Sequence, residues 1–199
     1  GGSDNGYVHQ GRKPEKEIVL DIARKLQQKL EDIKLKTVLL RENDQDLNHF
    51  QRVAKANKNG GDLFISLHVG ASIDPDKSGP ACVVYSSNGT EIKEDESSIS
   101  YQAVYNEWLN ATRFDLATFM ARKIDERFKT HLQIKTRQVK KLPLLPLKFI
   151  TTPAVLIEVG MLSDQSEGKK LQSSGYHEAL AACIANGVAD FFNGIVINP

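Results

Sequence analysis

Short apolar segments of strand character alternate with amphipathic helical segments along this chain, and that alternation constrains its fold more than any other feature. The runs Leu63–Leu67 and Ala154–Ile157 are almost entirely apolar, which is typical of strands in a parallel sheet that is covered on both faces. The stretch from Glu15 to Ile33 instead places its apolar residues at helical spacing. The pattern predicts an α/β domain with a mainly parallel, twisted sheet flanked by helices on both faces.

Six further segments carry the pattern of a strand or a helix. We predict strands at Thr37–Leu40 and Ala81–Tyr85, and helices at Asp46–Asn57, Tyr101–Ala111, Leu116–Phe128 and about Ser174–Phe192. No internal repeat and no interdomain linker separates these segments. A length of 199 residues suits a single domain, so we expect residues 1–199 to form one unit.

The composition excludes several classes of function. The chain has 26 Lys and Arg against 25 Asp and Glu, a formal net charge of +1, whereas a general nucleic-acid binder usually shows a strong basic excess. No apolar run approaches the ~20 residues that a membrane helix needs. Its 2 cysteines are too few for a disulfide framework or a Cys-rich zinc module. We therefore expect neither a nucleic-acid partner nor a membrane span.

Three ionisable residues occupy positions where a catalytic site could form. His68 and Glu158 each follow an apolar strand, and ligands of open α/β sheets bind beyond the carboxyl ends of the strands. Glu15 opens the first predicted helix and could point into the same crevice. One His and two Glu side chains at one edge are components of a mononuclear zinc hydrolase, in which a carboxylate next to the metal acts as the base.

Each of these residues also has a simpler interpretation. Glu15 suits the first turn of a helix, where the helix dipole favours a carboxylate, His68 could be a hydrogen-bonded strand-end histidine, and Glu158 could be a salt-bridge partner. The basic segment Lys135–Lys141 is either a solvated turn or a contact for an acidic polymer. We interpret His49, His131 and His177 as surface residues, and Cys82 and Cys183 as small buried hydrophobic residues.

Several motifs in the right order resemble the zinc-dependent N-acetylmuramoyl-L-alanine amidases of bacterial cell-wall turnover. The resemblance covers nearly the whole chain, and the motifs together are far more specific than any one of them. They are Glu15–Leu20, Val38–Asp44 with Arg52–Asn57, Asp62–His68 and the closing active-site motif Pro153–Ser163. The fold that this resemblance implies is a phosphorylase/hydrolase-like α/β domain.

The resemblance implies a set of roles. Glu15 and His68 would bind Zn²⁺, and Glu158 would be the catalytic carboxylate. The substrate would be bacterial peptidoglycan, hydrolysed at the amide between N-acetylmuramic acid and L-alanine during cell-wall turnover or daughter-cell separation. The expected location is then periplasmic or extracellular, at the cell wall.

Two departures from the family pattern bear on the candidate site, the first on its metal ligands and the second on its loop contacts to the substrate. The family's first ligand is a His followed by Gly-Gly-x-Asp-x-Gly, and the segment Gly1–Gly6 matches everything after that His. We therefore expect that the first strand and the His are missing just before Gly1, although His9 could replace the ligand if it is not a solvated loop residue. Val69–Ala71 replaces the family's usual Asn after His68, which affects loop contacts to the substrate.

Two other functions compete with the amidase. A catalytically silent peptidoglycan-binding module would keep the groove but lack a complete metal site, and it is favoured only if the natural protein also lacks the first His. A zinc carboxypeptidase would need a His-x-x-Glu pair, which the chain does not contain.

The segment Ser86–Thr112 is longer than the matching connection in the plain zinc amidases. Its simplest interpretation is a solvated surface loop. Regulated, division-associated family members carry an extra helix there that covers the zinc, and Tyr101–Ala111 could be that helix, with Glu107, Glu94 or Glu96 as the blocking carboxylate. In that case an activator protein would be a partner.

Overall fold

A four-stranded sheet forms the centre of the molecule. The computed structural model describes residues 1–72, 78–86 and 101–195, with the backbone alone at 101–108 and 110. The strands within those residues are β1 (Phe64–Gly70), β2 (Ala81–Tyr85), β3 (Val139–Leu142) and β4 (Ala154–Met161), in the spatial order β1-β4-β2-β3. The pairs β1–β4 and β2–β3 are parallel, and β2–β4 is antiparallel. The expected mainly parallel sheet is confirmed, with one antiparallel pairing at its centre.

Helices cover both faces of this sheet. They are α1 (Glu15–Asp32), α2 (His49–Asn59), α3 (Tyr101–His131), α4 (Leu145–Lys148), α5 (Gln165–Lys170) and α6 (Ser174–Gly194). Among the described residues, none of these helices is both long and apolar enough to cross a membrane.

Successive residues of β4 belong to two different hydrophobic cores, because side chains alternate between the faces of a strand. Val155, Ile157 and Val159 lie in the large core with α1, α3 and α6. Leu156 lies on the other face, in a smaller core. Glu158 shares the face of Leu156, so the strand directs its only carboxylate away from the large core.

The smaller core covers only part of its face. Its buried members are Val83, Leu147, Ile150, Ala154 and Leu156, with Val53 and Ala56 of α2 packed against them. α4 contributes Leu147, and it has only four residues. The remainder of this face is open, and it is here that a cleft forms.

Local sequence signals explain why α2 begins and ends where it does. Asn48 and Gln51 form a capping box, in which each side chain accepts a hydrogen bond from the backbone of the other, and this arrangement satisfies two otherwise unpaired N–H groups. Gly60 follows the last turn with φ 60°, a left-handed conformation that glycine adopts readily. The helix predicted at Asp46–Asn57 therefore exists, displaced by two or three residues.

Three sequence-based predictions are wrong. Thr37–Leu40 is not a strand: the carbonyls of Thr37 and Leu40 accept hydrogen bonds from the side chains of Gln27 and Lys55 instead. The two helices predicted between Tyr101 and Phe128 are one continuous helix, α3, since no Gly or Pro interrupts that stretch.

The third wrong prediction concerns His177, which is only 1% exposed. It shares the inner face of α6 with Leu180 and Ile184, at helical spacing. Its Nδ1 lies 2.6 Å from Oδ2 of Asp21 and its Nε2 lies 2.7 Å from the carbonyl oxygen of Leu171. A buried polar group is stable when both of its polar atoms are paired in this way.

The predicted burial of the two cysteines and the predicted surface location of the other two histidines are confirmed. Cys82 and Cys183 are buried free thiols, and burial raises the pKa of the Cys82 thiol. His131 is exposed and His49 is partly exposed.

Candidate active site

The sheet brings His68 and Glu158 together at one edge. His68 of β1 lies directly opposite Glu158 of the parallel strand β4, so the two side chains share a face. On the other side of β4, Glu158 lies opposite Ala81, the first residue of β2. Both ionisable residues therefore lie near the carboxyl ends of their strands, where open α/β sheets bind their ligands.

Glu15 reaches the same edge from the first turn of α1. Its Oε1 atom lies 3.1 Å from Nδ1 of His68 and accepts a hydrogen bond from the backbone N–H of Val69 at 3.2 Å. Its Oε2 atom accepts a hydrogen bond from the backbone N–H of Tyr7 at 3.0 Å. Burial opposes ionisation of Glu15, but these contacts with His68, Tyr7 and Val69 together lower its pKa. Glu15 is thus a carboxylate fixed in one orientation.

The loop before α1 fits closely around Glu15. Gly6 has φ 64°, and a Cβ atom at this position would lie 2.4 Å from Oε2 of Glu15. Any other residue would collide with the carboxylate and be strained in this backbone conformation. Gly6 is therefore required by the position of Glu15.

The other ring nitrogen of His68 is also held. Its Nε2 lies 3.1 Å from Oγ of Ser66, two residues earlier on the same face of β1. Because Ser66 contacts Nε2, the ring presents Nδ1 to Glu15.

Glu158 makes an ion pair with Arg137. Nη2 of Arg137 lies 2.7 Å from Oε2 of Glu158, but its N–H bonds do not point at that oxygen, so the contact lacks an aligned hydrogen bond. The side chain of Arg137 is 10% exposed and that of Glu158 is 31% exposed. Glu158 therefore reaches solvent while its cationic partner is buried behind it.

These groups line one cleft of about 440 Å³. One part of it holds Glu15, His68, Glu158 and Arg137, and the wall elsewhere is largely apolar. The remaining lining residues are Val69, Ala71, Ser72, Val83, Lys140, Leu142, Leu144, Leu156 and Met161. A polar end joined to an apolar wall is typical of an enzyme cleft.

Comparison with known proteins identifies the family. A family model described as N-acetylmuramoyl-L-alanine amidase matches residues 1–190. This chain belongs to the N-acetylmuramoyl-L-alanine amidase family. Membership of an enzyme family does not favour the silent wall-binding module.

Curated relatives align with almost the whole length of this chain. The uncharacterized protein YqiI of Bacillus subtilis (strain 168) is 31% identical over 193 residues, which are 97% of this chain and 81% of YqiI. The N-acetylmuramoyl-L-alanine amidase AmiA of Escherichia coli (strain K12) is 26% identical over 212 aligned residues, covering 97% of this chain and 73% of AmiA.

Solved structures show the same fold. An N-acetylmuramoyl-L-alanine amidase from Clostridium difficile 630 superposes with a TM-score of 0.80 at 24% identity, covering 98% of this chain and 93% of its own. The CwlD amidase from Clostridioides difficile, solved in complex with the GerS lipoprotein, superposes with a TM-score of 0.78 at 23% identity, covering 97% and 94%.

The contact between Glu15 and His68 fits part of a zinc site. Two neighbouring ligands of a tetrahedral zinc ion, each ~2.0–2.2 Å from the metal, are about 3.4 Å apart. The 3.1 Å between Oε1 of Glu15 and Nδ1 of His68 is close to that value. Within the described part of this amidase, no group of three or more His, Cys, Asp and Glu side chains is arranged to hold a metal. The described residues thus bring together the two side chains, Glu15 and His68, that the resemblance predicts as metal ligands.

Sequence reasoning missed the contact between Arg137 and Glu158 and located other candidates only in part. The basic segment Lys135–Lys141 signalled a cation here, but its proximity to Glu158 follows from the sheet. His9 does not line the cleft, whereas Val69 and Ala71 do. Glu94 and Glu96 and the side chain of Glu107 lie outside the described residues, so the predicted blocking carboxylate stays a prediction.

Proposed function

We propose that this amidase hydrolyses the amide between N-acetylmuramic acid and L-alanine in bacterial peptidoglycan with the help of Zn²⁺. Glu15 and His68 are the zinc ligands that the described residues supply, and Glu158 is the catalytic base. The observation that carries the proposal is the 3.1 Å contact between Glu15 and His68 in the cleft that also holds Glu158.

The proton transfers of the hydrolysis are carried out by a residue of this chain. In sites of this kind a bound zinc ion would lower the pKa of a water molecule and polarise the scissile carbonyl. Glu158 takes the proton of the attacking water and delivers it to the departing amine of L-alanine. Its side chain is suited to this transfer because it is partly exposed to the cleft. The products are a glycan strand and a free stem peptide.

Two backbone N–H groups and one serine side chain orient Glu15 and His68 in the absence of a metal. Tyr7 and Val69 donate to the two oxygens of Glu15, and Ser66 contacts the outer nitrogen of His68. Contacts behind the ligands typically account for a 10–100-fold difference in metal affinity. The apolar wall, including Val83, Leu142 and Leu156, offers a surface for the apolar parts of the substrate and keeps water from them.

We also propose that this domain acts at the cell wall, in the periplasm or outside the cell, because that is where its substrate lies. The third zinc ligand is proposed to be the His that precedes Gly-Gly-x-Asp-x-Gly in the family.

Two interpretations of Ser86–Thr112 stay open, a solvated loop and a blocking helix released by an activator protein. In the neighbour CwlD the partner is the GerS lipoprotein. Deletion of Ser87–Asn110 raises the basal activity only if this segment blocks the cleft.

The reaction is tested with purified peptidoglycan and mass analysis of the products. The zinc-loaded enzyme, extended before Gly1 by about ten residues that include the family's first His, should release stem peptides that begin with L-alanine. Glu158→Gln should retain zinc and lose activity by at least the ~100-fold that is typical of a general acid–base group. Glu31→Gln, which changes an exposed carboxylate at the far end of α1, is the matched control and should retain full activity. Normal release by Glu158→Gln would show that this residue is not the base.

A further inference from the structure

We infer that Arg137 is a positioning residue for the catalytic carboxylate of Glu158. The inference depends on the proposed role of Glu158 as the base. It starts from the ion pair in which Nη2 of Arg137 lies 2.7 Å from Oε2 of Glu158. Among the described residues, Arg137 is the charged side chain that pairs with Glu158. An Arg that is only 10% exposed and faces one carboxylate holds that carboxylate on one side.

Arg137 itself has little freedom to move. Its Nε donates to the carbonyl of Gly79 at 2.8 Å, and its backbone N–H donates to the carbonyl of Pro80 at 2.8 Å. Both acceptors precede β2, whose first residue, Ala81, lies opposite Glu158. The guanidinium is therefore fixed to the strand that neighbours its partner.

Gly79 must be glycine for this arrangement. It has φ 90°, and a Cβ atom here would lie 2.0 Å from the carbonyl oxygen of Lys135. Only glycine allows the segment before β2 to pass so close to the segment that carries Arg137. The close approach brings the Gly79 carbonyl within reach of the guanidinium.

Glu167 of α5 connects this segment to the end of β4. Its Oε1 accepts a hydrogen bond from the backbone N–H of Gly79 at 2.6 Å, and its Oε2 accepts one from the N–H of Met161 at 2.8 Å. Met161 is three residues beyond Glu158 on the same strand. The contacts thus run from β4 through Glu167 and Gly79 to Arg137, and from Arg137 back to Glu158.

The geometry explains why catalysis would need this support. A glutamate side chain has several rotatable bonds, and a displacement of about 1 Å in a catalytic group can cost about 100-fold in rate. Arg137 contacts Oε2, which leaves Oε1 as the oxygen available to a water in the cleft. Nε of the guanidinium donates to the Gly79 carbonyl while Nη2 of the same planar group faces Glu158, and the single ammonium group of lysine reproduces this pair of contacts imperfectly.

The alternative is that Arg137 binds an anionic group of the substrate directly. The two roles predict different kinetics. A positioning residue changes kcat and acts only through Glu158, whereas a substrate-binding residue changes KM and acts whether or not Glu158 is a carboxylate.

The test measures kcat and KM of the zinc-loaded enzyme, extended before Gly1 to include the family's first His, on soluble peptidoglycan fragments. Arg137→Met should lower kcat 10- to 100-fold with KM changed by less than about 2-fold, and Arg137→Lys should recover part of the loss. The matched control is Arg113→Met, because Arg113 is also a partly buried arginine that donates to a backbone carbonyl, that of Ile150, but it does not line the cleft. This control should retain kcat.

A double variant separates the inference from the proposed function. Adding Arg137→Met to Glu158→Gln should leave the residual kcat unchanged, since the carboxylate that Arg137 positions is already absent. A further loss of the same size in the double variant, or a rise in KM alone in the single variant, would overturn the inference. Normal activity of Glu158→Gln by itself would instead overturn the proposed function. Thermal unfolding of each variant confirms that the comparison is between folded enzymes.

Discussion

Oε1 of Glu15 lies 3.1 Å from Nδ1 of His68, although the two residues are 53 positions apart in the chain. The contact joins the first turn of α1 to β1 at the edge where Glu158 lies opposite His68. It is the geometric basis for the proposal that both residues bind one metal.

The first prediction concerns Glu15. Replacing it with glutamine keeps the shape of the side chain but removes the negative charge through which a carboxylate binds zinc, so zinc affinity should fall at least 10-fold. Competition with a chromophoric chelator measures this affinity in the chain extended before Gly1 to include the family's first His. Glu17→Gln, two positions along the same helical turn, is the control and should bind zinc as the unmodified chain does. Equal affinities of the two variants would remove Glu15 from the ligand set.

The second prediction concerns metal content. Residues 1–199 should bind zinc poorly, because the proposed ligands Glu15 and His68 are two and sites of this class use three protein ligands. A version that carries about ten additional residues before Gly1, with the family's strand and its His, should hold zinc at one equivalent. Elemental analysis of both proteins decides the matter. One equivalent of zinc in the shorter protein would mean that His9 or another group completes the site.

The third prediction concerns His177. Its 1% exposed side chain contacts Asp21 on α1 and the carbonyl of Leu171. His177→Ala should lower the free energy of unfolding by about 2–3 kcal/mol, because it leaves a cavity and an unpaired carbonyl. Urea denaturation measures the change. The exposed His131 is the control, and His131→Ala should fall within about 0.5 kcal/mol of the unmodified protein.

The fourth prediction concerns the ion pair of Arg127 on α3 with Asp190 on α6. The hydrogen bond from Arg127, with Nη2 2.6 Å from Oδ1, lowers the pKa of Asp190. The folded state therefore favours the ionised carboxylate, so the pair stabilises the fold above the unfolded pKa of about 3.9. That contribution is lost as the pH falls from about 5 through the lowered folded pKa.

The loss on acidification is measured against Asp190→Asn. The free energy of unfolding at several pH values between 7 and 3 should fall more steeply for the unmodified protein than for the variant. Because the pair lies at the surface, the difference should be no more than about 1 kcal/mol. Parallel curves for the two proteins would show that Asp190 has no linked titration.

Sequence patterns alone determined the local elements that build this site. The strands around Leu63–Leu67 and Ala154–Ile157 and the first helix follow from residue periodicity, which depends only on neighbours along the chain. The placement of His68 and Glu158 near the ends of parallel strands follows from the same patterns. A periodicity does not require knowledge of any distant contact, and for that reason these elements were predictable.

The tertiary structure decided which segments meet. Thr37–Leu40 has the residues of a strand but lies outside the sheet, and His177 is polar but buried, because burial and pairing depend on partners far along the chain. The antiparallel pairing of β2 with β4 follows from no local pattern. It brings the segment before β2, and with it Arg137, to Glu158. The sequence therefore supplied the reactive groups, and only the long-range packing of the folded chain set the distances between them.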